Sequence, residues 1–153
     1  MISILFVCHG NICRSPMAEF VMKKLVSDAG LREEYHIESA ATSYEEIGNP
    51  VYPPAVRELY KHGISCGGKT ARHMTREDYD RFDLIIGMDR ENLHSLTRFY
   101  GGDPERKISL LLEHTGSNRP VADPWYTGNF TATWNDVLAG CEALLSETRP
   151  RKG

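Results

Sequence analysis

The sequence predicts an α/β fold, a single domain over residues 1–153 in which helices cover both faces of a four-stranded parallel sheet. Strand patterns alternate with helix patterns along the chain, as a parallel sheet requires. A length of 153 residues suits one domain, and 41% hydrophobic with 25% charged residues is typical of a globular protein. We find no repeat, linker or low-complexity block.

The first strand and the first helix enclose a short loop. Residues 2–7 are almost all apolar and rich in β-branched side chains, which predicts a strand buried on both faces. Ser15 is expected to cap the first helix, with Pro16 at its first position and Gly30 at its end. Residues 8–15 are therefore predicted to connect strand to helix.

The later elements follow from similar patterns. Apolar or alternating runs predict three more strands, at 35–41, 84–88 and 108–112. Helices are predicted after Pro53-Pro54 over 55–62, at a short turn over 75–79, after the N-cap Asp89, and over 134–145. A polar loop should span 113–129, and the tail 148–153 should fray.

Composition and charge exclude several classes of function. The net charge of −3, from 18 basic and 21 acidic residues, lacks the basic footprint of nucleic-acid binding. The first apolar run is too short for a signal peptide or a membrane span, so we expect a cytoplasmic protein without membrane attachment. The four cysteines form no CxxC pair and should be free thiols. The histidines are scattered, and neither a metal nor another cofactor is expected.

The loop that begins at Cys8 has the composition of an anion-binding site. A strand-to-helix loop directs backbone N–H groups and the positive end of the helix dipole at one small volume. Gly10 and Asn11 tolerate the left-handed backbone that such a nest requires. Arg14 offers a planar fork of donors for phosphate oxygens. Positive surroundings lower the pKa of a thiol, so we expect Cys8 to attack phosphorus as a thiolate.

A candidate general acid lies far along the chain. Attack on a phosphate ester expels an alkoxide or phenolate, which needs a proton donor. Asp123 follows the last strand, on the sheet edge that carries the Cys8 loop, and Pro124 restricts its backbone. Trp125 and Tyr126 are placed to wall a site for a phenyl ring. Taken alone, these residues fit a surface Asp-Pro turn with two aromatics at least as well.

The motif Val-Cys-His-Gly-Asn-Ile-Cys-Arg-Ser-Pro, residues 7–16, resembles the signature loop of the low-molecular-weight protein tyrosine phosphatases almost residue for residue. Asp-Pro-Trp-Tyr, residues 123–126, is similar to the general-acid loop of that family. The resemblance runs from Ile2 to about Leu145. It implies a four-stranded parallel sheet and hydrolysis of phosphotyrosine in protein substrates through a cysteinyl-phosphate, without a cofactor.

The resemblance also implies roles for individual residues. Cys8 would be the nucleophile, Arg14 the phosphate clamp and Asp123 the general acid and base. Substrate or phosphate contacts would come from His9, Gly10, Asn11, Ile12, Cys13, Ser15, Trp125 and Tyr126. Ser15 is placed to donate a hydrogen bond to the thiolate, and Asn11 would brace the loop through Ser39. Cys13 matches a cysteine that traps the oxidised nucleophile in related enzymes, although a packed thiol without redox duty remains an equal alternative.

Three positions depart from the family's pattern, and one of them, Trp125 in place of the commoner Tyr, is a conservative change. Lys69 stands where the family usually has a histidine that helps brace the loop, so this network must differ. Glu45 is the best match to an aromatic residue that lines the cleft in many members. An acidic wall at that position would disfavour acidic phosphopeptides.

Other functions remain as alternatives. Residues 63–70 match the Walker A pattern of nucleotide-binding loops, but a predicted helix precedes them and no apolar helix follows. Arsenate reductases of the same fold need two more cysteines past the middle of the chain, and residues 67–140 contain none. Phosphoarginine phosphatases carry Thr at the position of Ile12, whereas Ile suits an aromatic ester. The sequence leaves the oligomeric state open, with a monomer as the simplest expectation.

Overall fold

A computed structural model describes residues 1–150 and contains one parallel sheet of strand order β2-β1-β3-β4. The strands are β1 (Ile2–Cys8), β2 (Tyr35–Ala41), β3 (Leu84–Gly87) and β4 (Ile108–Leu110). The helices are α1 (Arg14–Asp28), α2 (Pro53–Lys61), α3 (Asp78–Arg81), α4 (Arg90–Tyr100), α5 (Pro124–Thr127) and α6 (Phe130–Thr148). The predicted fold class is confirmed.

The central strand β1 is buried on both faces, as its continuous apolar run predicts. It pairs along its length with β2 and also with β3, and residues 4–7 are fully buried. Phe6 belongs to the core cluster beneath α1 and α6, while Leu5 belongs to the opposite cluster with Phe82 and Leu96. The carboxyl end of β1, at Cys8, is thereby held from both sides.

The start of α1 differs from the sequence prediction. The helix begins at Arg14, Cys13 occupies the N-cap position, and no side chain caps it. The prediction of Ser15 as N-cap is wrong, because the Ser15 hydroxyl contacts the loop side chains of Cys8 and Asn11. Gly30 follows the helix end with a φ of 72°, which agrees with its predicted role.

The predicted fourth strand is too long. The strand ends at Leu110, and Leu111 begins a 3-10 helix, Leu111–Thr115. The apolar run continues past the strand because Leu111 packs under α6. A Cβ atom at Gly140 would lie only 2.3 Å from Leu111 Cγ, so glycine permits this close approach. Burial under a helix and burial in a sheet leave the same apolar signal in a sequence.

Two other helices are displaced from their predicted positions: α3 lies at Asp78–Arg81 where 75–79 was predicted, and α6 begins at Phe130 where 134 was predicted. Asp89 caps α4 as expected, in a capping box with Asn92. The short helix α5 falls within the predicted polar loop. The last helix reaches Thr148, whose hydroxyl bonds to that of Tyr35, and so enters the segment expected to fray. Residues 151–153 lie outside the described chain. Within residues 1–150, none of the helices combines the length and apolar character needed to cross a lipid bilayer.

Candidate active site

The loop between β1 and α1 forms the floor of a cleft of about 480 Å³ at the carboxyl edge of the sheet. In open parallel sheets this edge is where ligands bind. Asn11 adopts a left-handed backbone with a φ of 59°. This conformation turns its backbone N–H toward Cys8, which accepts that hydrogen bond on Sγ at 3.3 Å.

Hydrogen-bond directions around Asn11 can be assigned from its neighbours. The backbone N–H of Arg72 can only donate, so the atom 3.2 Å away on Asn11 is the acceptor Oδ1. Asn11 Nδ2 therefore donates to the Ser15 hydroxyl at 2.7 Å and to the Ser39 hydroxyl at 2.9 Å. Both hydroxyl protons are then free for other partners.

The hydroxyl of Ser15 lies against the sulfur. Ser15 Oγ is 3.0 Å from Cys8 Sγ and accepts a hydrogen bond from Asn11 Nδ2 at 2.7 Å, which leaves the Ser15 proton available to the sulfur. Cys8, Asn11 and Ser15 are all buried, but only Cys8 lines the cleft, so the side chains of Asn11 and Ser15 brace the loop from below.

The bracing continues from Ser39 to two residues that carry opposite charges. Ser39 Oγ donates to Glu19 Oε1 at 2.5 Å, and Lys69 Nζ donates to the Ser39 carbonyl at 3.0 Å. Lys69 Nζ also lies 3.6 Å from Glu19 Oε1, and Lys23 pairs with the other Glu19 oxygen. Burial lowers the pKa of Lys69, while Glu19 opposes that shift. Lys69, which stands where the family usually has a histidine, thus joins the bracing network through the Ser39 carbonyl and Glu19.

Arg14 lies at the end of the loop with a nearly buried side chain. Its Nη2 is 2.8 Å from Asp89 Oδ2 and 3.4 Å from Asp123 Oδ2, and its Nη1 donates to the carbonyl of Val121 at 3.2 Å. Burial opposes the charge of Arg14, but Cys8 and the two carboxylates raise its pKa above the ordinary value. The guanidinium is therefore held as a fixed cation beside the sulfur.

Asp123 faces the floor from the opposite side of the cleft. Its Oδ1 accepts from the backbone N–H of Trp125 at 3.0 Å and caps α5, which leaves Oδ2 directed at Arg14. The preceding Ala122 N–H donates to Asp136 on α6, so the acid loop is fixed to that helix. Cys8, Arg14 and Asp123 thus share one cleft.

Aromatic and polar side chains line the sides of this cleft. Trp125 is 59% exposed and contacts the ring of Tyr52, with ring centroids 5.2 Å apart, while Tyr126 is 86% exposed. His9 Nε2 lies 3.2 Å from Glu45 Oε2 on the facing wall. The remaining predicted loop residues that line the cleft are Gly10, Ile12 and Cys13.

Cys13 is a buried thiol in the same loop. Burial raises the pKa of the Cys13 thiol to about 12, and the neighbouring Cys8 and Asp123 add to that shift. A thiol of this kind is not a nucleophile at neutral pH.

Two carboxylates of the site escaped the sequence reasoning. Asp89 is predicted only as a helix cap, yet its second oxygen holds Arg14. Glu19 lies within an ordinary helix pattern, although it is a buried acid, and no sequence signal marks it. For Asp89, its position directly after an inner strand was an available signal, because ligands bind at that edge.

The Walker A match at residues 63–70 lacks the structure of a nucleotide loop. Gly63 follows the end of α2, Thr70 forms a bridge with Pro50, and residues 71–77, directly after it, are not helical. The motif's lysine, Lys69, is committed to Ser39 and Glu19. The nucleotide-binding alternative is therefore wrong.

A buried cysteine in a strand-to-helix loop that shares one cleft with a guanidinium and a carboxylate is the arrangement expected of a cysteine-dependent phosphatase. Comparison with known proteins then gives the family. The family described as low molecular weight phosphotyrosine protein phosphatase matches residues 3–152. The chain belongs to this family, as its loop motif suggested.

Relatives of known name agree with this assignment. The chain is 41% identical to the low molecular weight protein-tyrosine-phosphatase YfkJ of Bacillus subtilis, with 99% of each sequence covered. It is 40% identical to the low molecular weight phosphotyrosine protein phosphatase of Rattus norvegicus, over 95% of each. The crystal structure of YfkJ superposes with a TM-score of 0.92 over 96% of this chain and 94% of that one, at 42% identity. SP-PTP from Streptococcus pyogenes gives a TM-score of 0.88 over 99% and 95%, at 40% identity.

Proposed function

We propose that this protein hydrolyses phosphotyrosine in protein substrates through a cysteinyl-phosphate intermediate. The observation that carries the proposal is the convergence of Cys8, Arg14 and Asp123 on one cleft. Family membership and the names of the relatives support the substrate class.

In the first step, the Cys8 thiolate attacks phosphorus in line and forms an S–P bond. The P–O bond to the tyrosine breaks, and protonated Asp123 gives its proton to the leaving phenolate oxygen. Arg14 and the loop N–H groups bind the three equatorial phosphoryl oxygens. Because these donors are already in place before the reaction, they stabilise the negative charge of the transition state.

In the second step, Asp123 acts as a base. Its carboxylate takes a proton from water, and the water oxygen attacks phosphorus. The S–P bond breaks, inorganic phosphate leaves, and the Cys8 thiolate returns. The Ser15 hydroxyl donates to this thiolate both before the first step and after the second, because a thiolate sulfur can only accept a hydrogen bond.

The proposal also covers the cellular location and the oligomeric state of the protein. The protein acts as a monomer in the cytoplasm on phosphoproteins, without nucleic acid or membrane partners. The unpaired state of all four cysteines, Cys8, Cys13, Cys66 and Cys141, supports a reducing compartment.

Parallel turnover assays on phosphotyrosine, phosphoserine and phosphoarginine test this function. We expect phosphotyrosine to be cleaved fastest, because the deep floor and the aromatic walls suit a flat phenyl ester. Cys8→Ser should abolish turnover and retain phosphate binding by calorimetry. Cys66→Ala, which removes a buried thiol outside the cleft, serves as the matched control and should remain active. Comparable turnover in Cys8→Ser would rule out covalent catalysis, and preference for phosphoarginine would overturn the substrate class.

A further inference from the structure

The rim of the cleft carries an excess of carboxylates. Five acidic side chains line the cleft, namely Glu45, Glu46, Asp89, Glu91 and Asp123. Arg14 is the one lysine or arginine among the lining residues, and Asp89 and Asp123 already pair with it. The charge of Arg14 is thus matched within the floor, and three glutamates remain above it.

These three glutamates come from two sides of the cleft. Glu45 and Glu46 lie in the loop after β2, and Glu91 lies in the exposed first turn of α4. Glu46 rests against the floor, since a Cβ atom at Gly10 would lie 3.3 Å from Glu46 Cγ. The negative potentials of these carboxylates add at the mouth of the cleft. The low dielectric constant of the surrounding protein strengthens the summed potential there.

The partners of the rim glutamates leave their charge available. Glu45 contacts His9, and both side chains are largely exposed. Glu46 accepts a hydrogen bond from the neutral side chain of Asn49. Within the described chain, neither Glu46 nor Glu91 has a lysine or arginine within ion-pair distance.

We propose that this rim selects phosphotyrosine that is flanked by lysine or arginine in the substrate peptide, and that Glu45, Glu46 and Glu91 determine this preference. The inference rests on the proposed function and adds the sequence context of the substrate. The phosphate itself is held on the floor by Arg14 and backbone N–H groups, so the rim meets the residues next to the phosphotyrosine. Cationic neighbours relieve the repulsion between the rim and the phosphate, whereas acidic neighbours increase it.

Three peptides with a central phosphotyrosine test the preference. They differ only in their flanking residues, which are lysine, alanine or glutamate. Exposed ion pairs are individually weak, so we expect kcat/KM to rise by roughly tenfold in total from the glutamate to the lysine peptide. The difference should shrink when ionic strength is raised from about 0.05 M to about 0.5 M, because the screening length then falls to a few ångströms.

A charge-matched pair of variants assigns the preference to the rim. In Glu45→Gln/Glu46→Gln/Glu91→Gln, we expect a smaller ratio of kcat/KM between the lysine and glutamate peptides. The logarithm of this ratio should fall to half of its wild-type value or less. The control Glu33→Gln/Glu34→Gln/Glu142→Gln removes the same charge from exposed sites outside the cleft, and should keep the wild-type ratio.

The outcomes separate this inference from the proposed function. Turnover of the alanine peptide by the wild-type protein tests the phosphatase activity alone. Equal kcat/KM for all three peptides, or a preference for the glutamate peptide, would overturn the proposed selectivity while leaving the activity intact. An equal loss of the ratio in the rim and control variants would also overturn it, because net charge would then be the cause.

Discussion

Arg14 and Asp89 are joined by a 2.8 Å contact between Nη2 and Oδ2, although they lie 75 residues apart in the chain. The other Asp89 oxygen accepts from the backbone of Asn92 at 2.8 Å and caps α4. One carboxylate therefore caps a helix and orients the guanidinium that shares the cleft with Cys8.

Two substitutions at Asp89 should separate these roles. Asp89→Asn keeps a capping oxygen and loses the charge, so we expect kcat/KM to fall while the free energy of unfolding changes little. Asp89→Ala removes the cap as well and should cost about 1 kcal/mol more in stability. Steady-state kinetics and urea unfolding measure the two effects. Wild-type kcat/KM in Asp89→Asn would show that the charge does not orient Arg14.

Asp123→Ala tests the general acid. Poor leaving groups depend on protonation and activated aryl phosphates do not, so we expect losses of about 10²-fold or more for phosphotyrosine and much smaller losses for activated esters. The measurement is kcat/KM across a series of aryl phosphates with different leaving-group pKa values. Uniform slowing across the series would remove the acid role.

Asp136 should make the acid loop sensitive to low pH. Burial opposes its ionisation, but hydrogen bonds from Arg119 and from the Ala122 backbone lower its pKa below the ordinary value. Its stabilising contribution is therefore complete above the unfolded-state pKa of about 3.9 and is lost as the pH falls through the lower folded-state pKa.

The difference in unfolding free energy between wild type and Asp136→Asn measures this contribution. It should be constant from neutral pH down to about 5 and should then shrink in more acidic solution. A difference that stays constant down to the acid-unfolding limit would contradict the ionic origin.

Gly140→Ala should destabilise the protein even though alanine favours helices by about 1 kcal/mol over glycine. The added Cβ would lie 2.3 Å from Leu111 Cγ, and such overpacking typically costs about 1–3 kcal/mol. In a Leu111→Ala background the clash is gone, so the same substitution should be neutral or stabilising. A double-mutant cycle by urea unfolding measures the coupling, and additive effects would contradict the close contact.

The fold was predictable because its signals are local. The apolar run of β1, the turn glycine Gly30 and the cap Asp89 each act through neighbours in the chain, and the structure agrees with all three. The end of β4 was not predictable, because Leu111 is apolar for a contact with a residue far along the chain.

The candidate site also combines features that local sequence signals predict with features that depend on distant contacts. The anion-binding character of the Cys8 loop follows from eight consecutive residues, whereas the acid role of Asp123 needed a family resemblance. Glu19 and the second contact of Asp89 depend on chain segments that meet only in the fold, and composition gives no sign of them. Ser15 shows that a local capping signal can also mislead, because its hydroxyl contacts the side chains of Cys8 and Asn11 in the preceding loop.

The position of β1 between two strands has a consequence for how the site opens. Cys8 ends a strand that is paired on both edges, whereas Asp123 precedes a short helix, and its loop is joined to α6 by the hydrogen bond from Ala122 to Asp136. Local fluctuations should therefore release the acid before the sulfur. Amide hydrogens of residues 5–8 should be among the slowest to exchange, and those of residues 125–127, which bond only to Asp123, should exchange much faster. In partial unfolding, the molecule would keep its nucleophile and phosphate cradle and lose its proton donor first.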